Sequence, residues 1–251
     1  RVGERGIVKT LLFAFILSLL ATPALAQVSL NIGGGKDGSM TGNVIQIVAL
    51  LTVLSIAPSI LMMMTSFTRI IVVFSFLRSA LGIQQTPPNA VLISLAMFLT
   101  LFIMMPTFQA SYNQGIKPLM NEEIAEMAAL EKASQPFKEF MLKHTREKDL
   151  KLFVEINKAG PFKEEMDTPM QYVIPAFMIS ELRRAFEIGF LLFLPFLVID
   201  MVVSSILMSM GMMMLPPVMI SLPFKIIFFV LVDGWYLITG SLIQSYMGGA
   251  G

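Results

Sequence analysis

Long uncharged runs of apolar residues occupy Val44–Met64, Ala90–Pro106, Ile188–Met208 and Phe224–Ile243, the last interrupted only by Lys225 and Asp233. Each approaches or reaches the ~20 residues that a helix needs to cross a bilayer, so the pattern predicts an all-α, membrane-associated protein. Between the second and third runs the pattern changes. Thr107–Val173 carries 9 Lys/Arg and 11 Asp/Glu together with His144, which reads as a water-facing insert. The plan is therefore two apolar helical hairpins, residues 44–106 and 174–251, separated by a small helical insert, residues 107–173. One stretch fits neither class. Thr65–Gly82 is nearly as apolar as the runs beside it, yet Arg69 and Arg78 stand nine positions apart, about 900° of helix, and so face opposite ways. Such a helix needs protein neighbours rather than lipid or water, which predicts an oligomer in which apolar faces meet other subunits.

Within the insert, Asn121 followed by Glu122 and Glu123 predicts a capped helix start, with Ile124, Met127 and Ala128 on one face until Ser134-Gln135-Pro136 breaks the run. Pro136 opens the next helix, in which Phe137, Phe140 and Met141 share a face. Leu150, Phe153 and Ile156, three positions apart, share another face before Gly160-Pro161 stops the chain's helical course. About 67 residues is marginal for an independent core, so Phe137, Phe140 and Phe153 are candidates for contacts between copies. At the other end, Arg1, Arg5 and Lys9 precede an apolar core from Leu11 to Ala21 and the small-residue sequence Ala24-Leu25-Ala26, the order of a secretory signal peptide over residues 1–26. Residues 27–43 then read as a flexible Gly-rich segment. Its Gly33-Gly34-Gly35-Lys36-Asp37-Gly38-Ser39 lacks both the spacing of a phosphate loop and a preceding strand.

Composition agrees with the pattern: 55% of the 251 residues are hydrophobic, 14% are charged, and the mean hydropathy is +0.76. A formal net charge of +1 provides no basic field for nucleic acid. With no cysteine and one histidine, thiolate metal sites, disulfides and histidine relays cannot be built, and Ser204 and Ser205 have no recognisable base. No enzymatic role, metal or cofactor is expected.

An exported start and four crossings place Thr65–Asn89 inside, Thr107–Val173 outside, the Ser209–Pro223 turn inside and the C-terminus outside. The first loop, with two arginines and no acid, obeys the positive-inside rule; Arg183-Arg184 does not. Glu181 and Glu187 lie within helical reach, so Glu181, Arg183, Arg184 and Glu187 form a neutral patch, a candidate assembly surface. Asp200 lies 11 residues before Gly211 and Lys225 lies 8 after Pro217, so a hairpin brings them to one depth. An unpaired charge at the bilayer centre costs ~2.5 to 3.5 kcal/mol. The two therefore form either a structural ion pair or part of an aqueous path, and the second reading makes the protein a small-solute or ion transporter with Pro195 kinking one helix. Between them, Gly211 and Pro216-Pro217 put Met212, Met213 and Met214 on a loop. Those methionines are either apolar filler or, in a ring of subunits, a soft constriction that blocks ions by dewetting.

Thr65–Pro106 (TSFTRIIVVFSFLRSALGIQQTPPNAVLISLAMFLTLFIMMP) and Pro175–Trp235, with its PAFMISELRRAFEIGFLLFLPFLVID motif, closely resemble the FliP/SctR family of type III secretion export gates. The signal peptide points to the flagellar branch. The resemblance implies a helical subunit, about five copies of which assemble with FliQ and FliR into a closed, ring-like helical gate for unfolded substrates. It also implies contacts with FlhB, with FliO during assembly and with exported flagellar proteins, and a place in the bacterial inner membrane and on its periplasmic side, in the flagellar basal body. The family's constriction falls by motif on Met212, Met213 and Met214. Its core is understood to sit largely above the bilayer plane, which accounts for the misplaced arginines.

Overall fold

The computed structural model describes residues 40–83, 85–157, 162, 165–212 and 216–248. The expected signal peptide, the Gly-rich segment up to Ser39, Gly160-Pro161, Met213 and Met214 lie outside these. Helices α1 (Met40–Met63), α2 (Phe67–Ala80) and α3 (Asn89–Ser111) are followed by a π turn (Tyr112–Ile116), α4 (Lys117–Met120), α5 (Glu126–His144), α6 (Glu147–Ile156) and a 3-10 turn (Glu165–Asp167). Helices α7 (Met170–Ser209), α8 (Pro217–Leu231) and α9 (Gly234–Met247) complete the order, with no strand among the described residues. The chain divides into two compact units, Arg1–Val53 and Leu54–Gly251. The described part of the first is the opening of α1, and the elements from α2 onward belong to the second.

The stretch that fitted neither class is the centre of this second unit. In α2 the buried residues Arg69, Ile70, Val73, Phe74, Leu77 and Ala80 make one helical stripe. It packs most extensively on α7, and also on α3. The neighbours it was expected to find in other subunits are supplied by its own chain. A second cluster joins Met104 of α3, Phe137 and Met141 of α5, and Val173 and Phe177 of α7. The insert thus has no core of its own: α5 lies on α3 and α7, and α6 lies on α7.

Three local expectations are corrected. Pro136 does not break the insert helix, because α5 runs through it for 19 residues. Ala129, Pro136, Phe137, Met141 and His144 form a continuous buried stripe, and its burial outweighs the backbone bond that proline removes. Asn121 is not the helix cap; its side chain donates to Glu123 Oε1 at 3.0 Å, Glu122 has a left-handed φ of 58°, and α5 starts four residues later after Ala125. The fourth apolar run is not one straight span. It breaks between α8 and α9 with a 61° bend. Asp233 there adopts a left-handed φ of 51°, a conformation short polar side chains tolerate, and a Cβ on Gly234 would fall 2.1 Å from the Phe229 ring. Asn89–Met120 and Met170–Ser209 are each long and apolar enough to cross a membrane, and α8 with α9 makes a bent stretch that meets the same measure. The third run is the second half of α7, whose 40 residues extend about 60 Å.

Close packing at Gly115 holds α5 against the π turn that continues α3. A Cβ there would lie 2.5 Å from Ala133 Cβ and 2.6 Å from the Ala129 carbonyl oxygen, and backbone cannot swing aside. Gly115→Ala should lower stability by about 1–3 kcal/mol despite alanine's better helix propensity. Gly240→Ala, where nothing lies within 4 Å, should be neutral or stabilising. Thermal unfolding of the two detergent-solubilised variants checks both; an equal effect would refute the packing argument.

Candidate functional site

Two buried charge centres organise the helices. In the first, Arg69 of α2 is 1% exposed and Glu181 of α7 is fully buried. The guanidinium grips the carboxylate with two donors, Nε at 2.9 Å from Oε2 and Nη2 on Oε1, while Nη1 donates to Ser245 Oγ at 2.9 Å. Tyr246 of α9 donates its hydroxyl to Glu181 Oε2, and its ring lies 3.8 Å under the guanidinium carbon. The fork-to-fork geometry satisfies charges that would otherwise be expensive to bury. Glu181 is therefore not part of a surface patch with its sequence neighbours. Only Arg183 and Glu187 pair there, at 2.7 Å, both more than half exposed, and Arg184 is half-buried.

Asp200 and Lys225 meet. Lys225 Nζ donates to Asp200 Oδ2 at 2.6 Å and to the carbonyl of Ala80 at 3.3 Å, and Ser221 donates to Asp200 Oδ1 at 2.6 Å. Lysine lies at the C-terminal end of α2, where helix dipole and free carbonyls favour a cation. This centre thus ties α7, α8 and α2 together at the base of the hairpin. At the hairpin's tip, Met212 is exposed, and it follows Gly211 in a left-handed conformation, φ 74°.

The insert phenylalanines are mostly used within the chain. Phe137 is buried edge-on against Phe108, and Phe140 touches the rings of His144, Phe177 and Tyr246. Phe137 is too buried to serve as the contact between copies that periodicity suggested; Phe140 and Phe153 are each half-buried, and Phe153 is not among those ring contacts. The insert is fastened to α7 by a polar clamp that local sequence patterns did not signal: Arg146 holds Asp149 through two bonds of 2.9 Å, and Ser180 donates to Asp149 at 2.6 Å while accepting from the Arg146 amide at 3.0 Å. His144 is buried beside this region. Burial first, then the positive charges of Arg69, Arg184 and Lys143, lowers its pKa to about 4, so it is neutral at pH 7. Among the described residues no group of three or more His, Asp or Glu is placed to hold a metal ion.

The unfolded chain takes up a proton at His144 near its ordinary pKa of 6.5, whereas the native protein does so only near 4. Native stability is therefore flat above neutrality and declines as pH falls from 6.5 towards 4, by at most about 1.4 kcal/mol per pH unit and less where water reaches the ring. Melting curves at pH 7 and 5 should show a larger drop for wild type than for His144→Gln; parallel drops would refute the assignment. At the other centre, Asp200→Lys should destabilise the hairpin by about 1–3 kcal/mol, since Asp200 is partly exposed. Adding Lys225→Asp should recover only part of this, because a carboxylate then faces the Ala80 carbonyl. Thermal unfolding of the single and double variants measures both steps, and full recovery would remove the role given to Ala80.

Residues 50–242 match the FliP family. The chain is 56% identical over 248 residues to the flagellar biosynthetic protein FliP of Caulobacter vibrioides, covering 99% of this chain and 93% of that protein. To the protein of the same name from Bacillus subtilis it is 56% identical over 217 residues, 86% of this chain and 98% of that one. A third, from Rhizobium meliloti, is 53% identical over 213 residues, 84% and 87% of the two chains. With helices that meet membrane-crossing length and a match across most of its residues, this chain belongs to the FliP family.

Proposed function

We propose that the chain is a non-enzymatic subunit of the gate through which flagellar proteins are exported across the bacterial inner membrane. The observation that carries this reading is the unbroken family match over residues 50–242, together with the flagellar biosynthetic role named for its relatives. In this reading about five copies assemble with FliQ and FliR into a closed channel at the base of the flagellum, with FliO acting during assembly and FlhB docking on the product. The insert faces the periplasm. Exposed apolar faces on α3 and α7, including Phe98, Phe102, Phe190 and Leu191, provide the area that neighbouring subunits and lipid would cover.

Met212, Met213 and Met214 would form the constriction. Support comes from the hairpin's construction: Asp200, Ser221 and Lys225 fix its base, and the turn beyond carries an unbranched, polarizable side chain into the open. Copies arranged around an axis would bring such turns together as a dry plug that excludes ions and deforms around a passing chain. The rival reading, a small-solute transporter, draws on Asp200, whose side chain is 37% exposed. Its carboxylate oxygens are both engaged by Ser221 and Lys225, which favours a structural role.

Replacing Met212, Met213 and Met214 together by alanine should raise the ion conductance of membranes containing the assembled complex several-fold while sparing part of its export. Conductance recordings beside an export assay read the two effects. Unchanged tightness in a fully assembled variant would return the three methionines to turn filler, and saturable solute uptake by vesicles holding the chain alone would install the transporter.

A further inference from the structure

The apolar helices carry few charges, and most are matched. Arg69 with Glu181, Arg183 with Glu187 and Lys225 with Asp200 form pairs, which leaves Arg78 of α2, Arg184 of α7 and Asp233 between α8 and α9 without an ion pair among the described residues. Asp233 is the unmatched acid. It lies in the bent stretch that meets the measure of a membrane crossing, where an unpaired carboxylate is costly and calls for a cation. It also stands at the N-cap of α9, yet its side chain makes no capping bond and is exposed. Its carboxylate is thus open to a group from outside the chain.

The two spare cations differ in access. Arg184 is half-buried on the same stripe of α7 as Val173, Phe177 and Ser180, which α5 and α6 cover. Arg78 instead lines a groove between α2 and α3 walled by Ile71, Leu92 and Ile93. Its Nη1 makes both of its bonds, to Asn89 Oδ1 at 2.5 Å and to the Pro87 carbonyl at 3.5 Å, so the edge formed by Nε and Nη2 has no partner among the described residues. That is the edge with which Arg69 grips Glu181. The groove encloses about 170 Å³, below the range of small-molecule sites and suited to inserted side chains.

Taking the multi-copy assembly of the proposed function as premise, we propose that the α8–α9 elbow of one copy seats in the α2–α3 groove of the next, where Asp233 accepts from Nε and Nη2 of Arg78. A second copy is the occupant that supplies both halves. Each chain carries the acid on its elbow and the base in its groove, so one contact repeated around a closed ring neutralises both in every copy, as a heterologous interface requires. The apolar surroundings match as well: Leu231, 80% exposed, and Tyr236 flank Asp233, and Ile71 and Ile93 stand ready on the groove walls. Heights agree too. Trp235, two residues after Asp233, touches Phe74, which lies one helical turn before Arg78, a distance that an arginine side chain spans. Within one copy Arg78 is turned to Asn89 and does not reach the acid.

The chain has no cysteine, so introduced thiols report without background. Ile93→Cys and Leu231→Cys together, in the full-length chain with both charges intact, should give covalent dimers and higher multiples when the detergent-solubilised assembly is treated with a short bismaleimide, and each cysteine alone should not. Arg78→Glu or Asp233→Arg alone should lower the yield of multi-copy complex about tenfold, and the two together should restore it to within about threefold of wild type. Crosslinks confined to single chains place the contact within one copy and overturn the proposal. Linked copies without recovery in the double reversal overturn the ion pair, and links from Leu231→Cys to FliQ or FliR alone overturn the choice of a second copy. Multi-copy complexes that stay unlinked fail this contact while leaving the gate reading intact; a chain that never forms them, even with FliQ and FliR, fails both.

Discussion

A guanidinium and a carboxylate withdrawn from water fix how three helices of this protein meet. Arg69 and Glu181 are too costly to bury alone and too geometrically particular to exchange partners, so α2 and α7 have one register in which both are satisfied. Ser245 and Tyr246 extend the requirement to α9, which explains how a helix separated from α8 by a 61° bend is held against the rest. Removing one member would leave an uncompensated charge, which costs about 3–5 kcal/mol in buried pairs, a large share of the stability of a typical domain. His144 touches the same Tyr246 ring, so the insert is coupled to this centre by packing while Asp149 and Ser180 fasten it to α7.

What the residues disclosed in advance depended on how far apart the partners were. Asp200 and Lys225 flank a turn marked by Gly211 and Pro217, and counting outward from that turn gives their approach without knowledge of any other helix. Arg69 and Glu181 are 112 positions apart with no turn to align them, so only the packing of α2 on α7 reveals the pair. The signal was the oddity of Arg69 itself, a charge in a run otherwise fit for burial. Read locally, Glu181 groups with Arg183 and Arg184, whereas helical geometry turns it inward. The same limit explains Pro136 and Asp233. Proline's local preference is to end a helix, but a buried stripe on both sides carries α5 through it; an apolar run has no local reason to stop at Asp233, but the Phe229 ring against Gly234 bends it there.

The distribution of exposed apolar surface gives the structure a direction. α2 is satisfied by its own chain, while α3, the second half of α7 and α8 leave large side chains such as Phe98, Phe190 and Leu231 open. Surface of that extent on a single chain marks contact with lipid or with protein. Under the proposed gate function both are present, and the buried charge centres make each subunit rigid enough that its outer faces can assemble without the helices rearranging.

Rigidity at the base and softness at the tip of the α7–α8 hairpin then belong together. Lys225 bonds at once to Asp200 across the hairpin and to the end of α2 behind it, so force applied at the turn is passed to the buried core and not absorbed by splaying of the two helices. Beyond that anchor, Gly211 supplies a left-handed turn, and the side chain that follows, Met212, has three rotatable bonds and no polar group to be left unsatisfied as it moves. Under the proposed gate function, a plug built this way would yield through side-chain rotation while its backbone supports hold position, and would reseal after a chain passes because the anchor need not break. The arrangement places the deformable element and the charged one about two helical turns or more apart along the same hairpin, since Asp200 precedes Gly211 by 11 residues. In the proposed gate, that separation would let water or substrate disturb the turn without reaching the ion pair at the hairpin's base.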